Sequence, residues 1–190
     1  MTDLILASTS PYRSALLQRL GLDFRCVAPF IDEAHRVDEA PSARAIRLTR
    51  AKAMAVAAHE PEGTIIGSDQ VAHVDGIVLD KPGTTARAVA QLRQMSGRTV
   101  TFLTAVCVIA GQRVEQDIVC ASVLMRQLSE AEIQRYVQRE QALDCCGSVR
   151  CEGLGMTLFE SIQTPDPTAL IGLPLLTITR RLRSLGFELP

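Results

Sequence analysis

Leu4-Ile5-Leu6-Ala7 is a short unbroken apolar run, the mark of a buried strand. Ser8-Thr9-Ser10 interrupts it, and a helical stripe follows through Ala15, Leu16, Leu17 and Leu20. Ser10 suits the N-cap, Pro11 the first helical position, where its missing N–H costs nothing, and Gly21 the stop. Phe24 to Val27 reads as a second strand that runs into a loop from Pro29 to Glu39. Ser42 to His59 is Ala-rich and carries Ile46, Leu48, Met54 and Val56, which predicts a long helix closed by Pro61 and Gly63. Thr64-Ile65-Ile66 is a further buried strand and leads into Gly67-Ser68-Asp69-Gln70-Val71.

The pattern then changes to hairpins. Asp75-Gly76, between Val74 and Ile77, favours the positive φ angles of a two-residue turn. Lys81-Pro82-Gly83 is a loop, and Thr84 caps a helix to about Met95. Thr99 to Ala110 and Arg113 to Arg126 are β-rich runs either side of Gly111-Gln112, a second hairpin. Ser129-Glu130-Ala131-Glu132 is a capping box that opens a helix through Tyr136 and Val137. Gly147 to Gly155 is a glycine-punctuated loop, and a helix from about Pro174 to Leu185 closes the chain. Strands alternating with helices at both ends, and hairpins between, predict an α/β fold with a mixed sheet. A length of 190 residues without internal repeats or a low-complexity linker suits one domain, 1–190, or two closely joined lobes.

Composition narrows the function classes. Hydrophobic residues make up 47% and charged residues 22%, ordinary for a globular chain with a packed core. A net charge of −1 argues against an extended nucleic-acid surface but leaves room for a small anion held by a few placed cations. No run approaches the roughly 18 apolar residues of a membrane span, and Leu4 to Ala7 lacks the basic region that precedes a signal segment. The expectation is a soluble, cytoplasmic protein without membrane partners. The six cysteines form no C-x-x-C pair, and His35, His59 and His73 lie elsewhere, so reduced thiols serving as small hydrophobes are expected rather than disulfides or zinc ligands.

Two constellations carry chemistry. A strand ending in Ser8-Thr9-Ser10 at a helix N-terminus points free N–H groups and a positive dipole end at whatever sits there. Hydroxyls of Ser8 and Ser10 with the Arg13 guanidinium would complement phosphate oxygens; ordinary capping beside a surface arginine reads equally well. The second is Gly67-Ser68-Asp69-Gln70, where a strand that ends abruptly would leave a carboxylate at its carboxyl end, as open α/β sheets place their ligands. Asp69 would suit Mg2+ or a water to be deprotonated, with Asp32-Glu33 as further carboxylates; a lone loop aspartate is otherwise a turn residue. Lys81 is held extended by Pro82. Arg44, Arg47 and Arg50 read as a solvated stripe, and Lys52, off that stripe, fits either a surface or a site. The commonest phosphate and nucleophile motifs, G-x-x-x-x-G-K-[ST], G-x-G-x-x-G after a strand, H-E-x-x-H and G-x-S-x-G, are absent.

These pieces resemble the Maf family of nucleotide pyrophosphatases. The likeness rests on L-I-L-A-S-T-S-P-Y-R, I-I-G-S-D-Q-V, D-K-P, L-R-Q-M-S-G-R, L-S-E-A-E-I-Q-R-Y-V, C-C-G-S-V-R-C-E-G-L-G and D-P-T-A-L-I-G-L-P-L, in order from about Leu4 to Leu176. The resemblance implies hydrolysis of the α–β phosphoanhydride of a nucleoside triphosphate, to monophosphate and pyrophosphate, with a divalent metal (Mg2+, Mn2+ or Co2+). It also implies a mixed twisted sheet with flanking helices and two lobes around a cleft, as in the related inosine-triphosphatase-like fold. Matched position by position, it makes Asp69 the catalytic acid, Ser8, Arg13, Lys52 and Lys81 phosphate-binding residues, and Glu33 with Asp69 the metal ligands. Tyr12, Gln70 and Glu152 fall where the family varies with base preference.

Departures from the common pattern bear on substrate. Many members read S-P-R-R where this chain has Pro11-Tyr12-Arg13, carry a histidine after S-G-R-T, and have a tyrosine in the segment matching Gly147 to Gly153. An aromatic at Tyr12 with Glu152 resembles the branch acting on 7-methyl-GTP, because a methylated guanine is cationic and is favoured by an aromatic face and a carboxylate. The alternatives are a dTTP- or UTP-type pyrophosphatase and a nucleotide-sensing regulator of septum formation. A homodimer is expected by analogy with the family.

Overall fold

The computed structural model describes residues 3–190. Seven strands, β1 (Leu4–Ala7), β2 (Arg25–Cys26), β3 (Thr64–Val74), β4 (Ile77–Leu79), β5 (Thr99–Ala110), β6 (Arg113–Met125) and β7 (Phe159–Gln163), join in one mixed sheet. Five helices flank it: α1 (Pro11–Gln18), α2 (Pro41–Ala57), α3 (Thr85–Met95), α4 (Glu130–Glu140) and α5 (Leu175–Ser184). Strand order is β2-β1-β3-β5-β6-β7, with β4 on the free side of β3. β1 runs parallel to β2 and β3, and every other pairing is antiparallel.

The sequence cues that placed the helix starts are realised in detail. Ser10 caps α1 by accepting from the Arg13 N–H, Thr84 caps α3, and Ser129 with Glu132 closes the capping box of α4. Asp75 and Gly76 both take positive φ, +48° and +81°, in the β3–β4 turn.

Three expectations change. β2 shrinks to two residues, both exposed, because it is an edge strand paired only to β1. β3 does not end before Gly67-Ser68-Asp69: it continues to Val74, because β5 pairs with it continuously from Thr64 to His73. β7 has no counterpart among the sequence cues. Phe159-Glu160-Ser161-Ile162-Gln163 has two apolar residues in five and gains its ladder only from the end of β6.

The extension of β3 creates the cleft. Its other edge is covered by β1 through Gly67 and by β4 from Ala72, so among the described residues Ser68 to Val71 have no ladder partner there. Each half of the long strands has its own core. Leu4, Leu6, Leu17, Ile66, Val106 and Ile178 pack together at one end, and Val74, Leu92, Met95, Phe102, Val123 and Ile133 at the other. β3 and β5 contribute side chains to both clusters.

α2 lies close against the gap. A Cβ on Gly67 would sit 2.7 Å from the Thr49 carbonyl oxygen and 2.9 Å from Ala53 Cβ, both parts of the helix itself. Gly67→Ala must therefore push α2 away, and overpacking of this kind typically costs about 1–3 kcal/mol. Chemical denaturation is expected to show that loss, together with reduced activity. A variant as stable as the parent would show that the helix has slack.

Candidate functional site

Alternation along β3 divides the site between two faces. Gly67, Asp69 and Val71 face α2, whereas Ser68 and Gln70 face the segment Ala169–Gly172. Lys52 reaches down from α2, only 6% exposed, and its Nζ lies 2.6 Å from Asp69 Oδ1 and 2.9 Å from Glu33 Oε1. One ammonium thus bridges two carboxylates from different elements, the strand and the Pro29–Glu39 loop. Burial pulls the Glu33 carboxyl upward, but the hydrogen bond and charge of Lys52, with Lys81 and Arg13 behind it, outweigh that and lower its pKa below the ordinary value.

Two adjoining cavities meet at this pair. The larger, about 480 Å3, is lined by Ser8 and Ser10 and, toward its far end, by Tyr12, Asp144 and Glu152. The smaller, about 200 Å3, holds Asp69 with Arg44 and Asp80. Arg13, Glu33, Lys52, Gln70 and Lys81 line both. The nine candidate residues, drawn from Ser8 to Glu152 along the chain, therefore border one continuous cleft of the size small-molecule sites occupy. Asp69 sits mid-strand rather than at a strand end, and the break in edge pairing does what a strand terminus was expected to do: it opens the backbone toward the cavity.

The individual placements differ in character. Ser8 is 4% exposed and its Oγ accepts from the Ser10 N–H, which shapes the turn into α1. Arg13 donates from Nε to the Gly172 carbonyl at 2.9 Å, aiming its fork into the cleft. Gln70 spends its amide N–H groups on Thr104 Oγ1 and on the carbonyls of Ala169 and Leu170, at 2.9–3.1 Å. Its contribution to the cleft wall is consequently rigid.

The far end of the larger cavity is built around Tyr12. Its hydroxyl donates to Asp144 at 3.2 Å and accepts from Arg150 Nη2 at 2.7 Å, and the Arg150 guanidinium lies 5.3 Å from the ring centroid. Burial, with the nearby Cys145 and Asp144, pushes the Tyr12 phenol up to about 12. Arg150 also pairs with Glu140 at 3.0 Å, so the ring is braced from α4. Glu152 completes this end, accepting from the Cys151 thiol at 3.4 Å. Sequence reasoning missed Asp144 and Arg150, because neither the stretch after α4 nor the glycine-punctuated loop has a periodicity from which to infer direction.

Burial disfavours the thiolate form of the cysteines at the cleft. All six are free. Burial pushes Cys145 and Cys146 up to about 11 and Cys151 to about 12, which keeps the thiols protonated near neutral pH. Cys146 instead donates to the Gln70 carbonyl at 3.4 Å, satisfying part of the uncovered edge of β3.

The arginine stripe is not solvated as expected. Arg44 is 9% exposed and donates to Asp80 at 3.2 Å, and Arg47 is bound by Glu39. Of the three, Arg50 alone is exposed. Helical periodicity could not see that the Pro29–Glu39 loop and Asp80 return across this face of α2 with the opposite charge.

As for a metal, no group of three or more His, Cys, Asp or Glu suited to one occurs among the described residues. Glu33 and Asp69 on a shared ammonium are nonetheless a hard oxygen donor pair facing a cavity. That fits a divalent cation which takes its remaining ligands from phosphate oxygens and water, and does not fit an all-protein cage.

A family profile described as Maf-like protein matches residues 3–185. A protein named 7-methyl-GTP pyrophosphatase from Xanthomonas oryzae pv. oryzae (strain MAFF 311018) is 54% identical over 190 residues, covering 100% of both chains. Proteins of the same name from Bordetella avium (51% identity, 97% of this chain and 94% of that one) and Pseudomonas aeruginosa (47%, 100% of each) are also similar. Among solved structures, the Staphylococcus aureus Ham1 protein aligns with a TM-score of 0.45 and 14% identity over 66% of this chain and 73% of that one.

Proposed function

The chain belongs to the Maf-like protein family, and from that premise we propose that it is a nucleoside triphosphate pyrophosphatase acting on 7-methyl-GTP. The observation that carries the reading is the cleft itself. Lys52 is clamped between Asp69 and Glu33, with Arg13 and Lys81 beside it, at one end of a cavity whose other end presents Tyr12 and Glu152. The cationic end suits a triphosphate and the Tyr12–Glu152 end a positively charged base.

In this reading the base lies against Tyr12 with Glu152 accepting from its edge, and the phosphates extend toward Ser8, Arg13 and Lys81. Arg13, Lys52 and Lys81 neutralise the charge that builds on the phosphate oxygens. Asp69 takes a proton from the attacking water as its oxygen bonds to the α-phosphorus. The α–β bridging bond breaks, and its electron pair leaves with pyrophosphate. A divalent cation held by Asp69 and Glu33 would add Lewis-acid neutralisation of the same oxygens. Cytoplasmic action and a homodimer belong to the same proposal by family analogy; no described helix is long and apolar enough to cross a membrane.

The test is a panel of canonical and 7-methylated nucleoside triphosphates with pyrophosphate release measured. The reading requires 7-methyl-GTP to have the highest kcat/KM. A preference for dTTP or UTP would reassign the base end, and no turnover on any triphosphate with metal present would point to a nucleotide sensor. Glu152→Gln is expected to cut the preference for 7-methyl-GTP over GTP by about tenfold, because only the methylated ring is cationic and a charge–charge attraction at such a site is on the order of 1–4 kcal/mol. An unchanged ratio would remove Glu152 from base recognition.

A further inference from the structure

We infer that Arg47 and Glu39 are positioning residues for the reaction: their ion pair fixes the loop that carries Glu33 onto α2, and so sets Glu33 against Lys52. This rests on the nucleotide reading above.

The loop from Ala28 to Glu39 has no regular secondary structure. Two of its large apolar side chains point outward, Phe30 at 95% and Val37 at 92% exposure, so they do not anchor it to a core. Phe30 and Asp38 have positive φ, +20° and +56°, conformations that non-glycine residues hold only when the surroundings impose them. Ala28, Pro29 and Ile31 are half-buried near the start of the loop, and from Asp32 onward the attachments are polar. Ala34 N–H to Asp32 and Glu39 N–H to Arg36 are bonds within the loop and give it shape but no position.

Arg47 supplies the position. Its Nε and Nη2 hold both oxygens of Glu39 at 2.5 and 2.7 Å, a bidentate fork, and Nη2 also reaches the Ala34 carbonyl at 3.2 Å. The pair is largely screened from solvent, 18% and 10% exposed. Ala34 is the residue after Glu33, so the guanidinium grips the backbone beside the carboxylate that meets Lys52. Buried Arg44, with Asp80, adds a second tether through His35, whose Nε2 lies 3.0 Å from Asp80, but His35 and Asp80 are about half exposed and so more screened than the Arg47–Glu39 pair. Arg47 and Lys52 share α2, so a single rigid helix carries both the clasp and its target. Neither Arg47 nor Glu39 borders the cleft.

Three variants of the full chain test this, with kcat taken per folded molecule. A misplacement of about 1 Å at a site can cost about a hundredfold. Arg47→Ala is accordingly expected to lower kcat on 7-methyl-GTP by about ten- to a hundredfold while KM changes by less than about threefold. Arg47→Lys, which keeps the charge but not the fork, should fall between. Glu39→Gln, nearly isosteric, covers the case in which Arg47→Ala does not fold. Chymotrypsin cleavage after Phe30 should accelerate about tenfold or more, because proteolysis follows the population of the released loop. If kcat per folded molecule matched the parent in Arg47→Ala and Glu39→Gln, the pair would be merely structural and the inference overturned. If the parent hydrolysed no triphosphate, the nucleotide reading would fall, and cleavage alone would judge the clasp: unchanged cleavage overturns it, faster cleavage sustains it.

Discussion

Asp69→Asn is expected to fold as the parent does and to lose about a hundredfold to ten-thousandfold in turnover, the range for removing a positioned acid–base group. Asparagine has nearly the same shape, and its carbonyl oxygen can still accept from Lys52 Nζ, which lies 2.6 Å from Asp69 Oδ1. Hence neither the α2–β3 packing nor the burial of Lys52 is disturbed. What disappears is the negative charge and the capacity to hold a proton, which both the general-base and the metal-ligand role require. Pyrophosphate release under saturating nucleotide, alongside circular dichroism of the same sample, separates the two effects. Residual turnover above about a tenth of the parent's would make Asp69 a structural partner of Lys52 and nothing more.

Lys52→Met is expected to be damaging in a different way, reducing both activity and stability. Methionine fills much of the lysine stem, so packing against the sheet is largely kept. Asp69, with a side chain 10% exposed, is left with no cation at that oxygen and faces Glu33 across the vacated position. Breaking a buried pair by removing one partner typically costs about 3–5 kcal/mol. The lower figure applies here, because Glu33 is 54% exposed and water can screen it.

The pH dependence has a definite sign. In the parent, Glu33 is held below its ordinary value of 4.5, so its contribution to stability is present above that value and is lost as pH falls through the lowered folded value. In the variant the desolvation that pulls Glu33 upward has lost its main opponent. Protonation is then favoured in the folded state, and the difference between variant and parent should shrink as pH falls through the carboxylate range. Urea denaturation at pH 7 and near pH 4.5 measures this. A penalty constant with pH would mean that lost packing, rather than two uncompensated carboxylates, explains it.

Some of this protein was already decided locally. Ser10 before Pro11, Thr84, and Ser129 with Glu132 place helix starts because a cap is satisfied within three residues of itself. Asp75-Gly76 makes its turn for the same reason, since positive φ is a property of those two residues. The ordered motifs from Leu4 to Leu176 point to the family, and the family profile agrees over residues 3–185. Chemistry-bearing residues within such motifs, Asp69 and Lys81 among them, could be named by position alone.

Other features are properties of contacts between distant segments, and no local pattern encodes them. β3 runs through Gly67-Ser68-Asp69 because β5, whose partners Cys107, Val106 and Ala105 lie far along the chain, supplies its ladder. The cleft exists because β1 stops at Gly67 and β4 begins at Ala72 on the other edge. Arg44 and Arg47 read as solvated by helical period, and only the returning loop with Glu39, and Asp80 beyond it, turns them inward. Tyr12 is braced by Arg150 across 138 residues of chain. Caps, turns and apolar periods act over a few residues and are legible in the sequence itself. Charge pairing and edge completion act through space between segments far apart in the chain, so only the tertiary structure decides them.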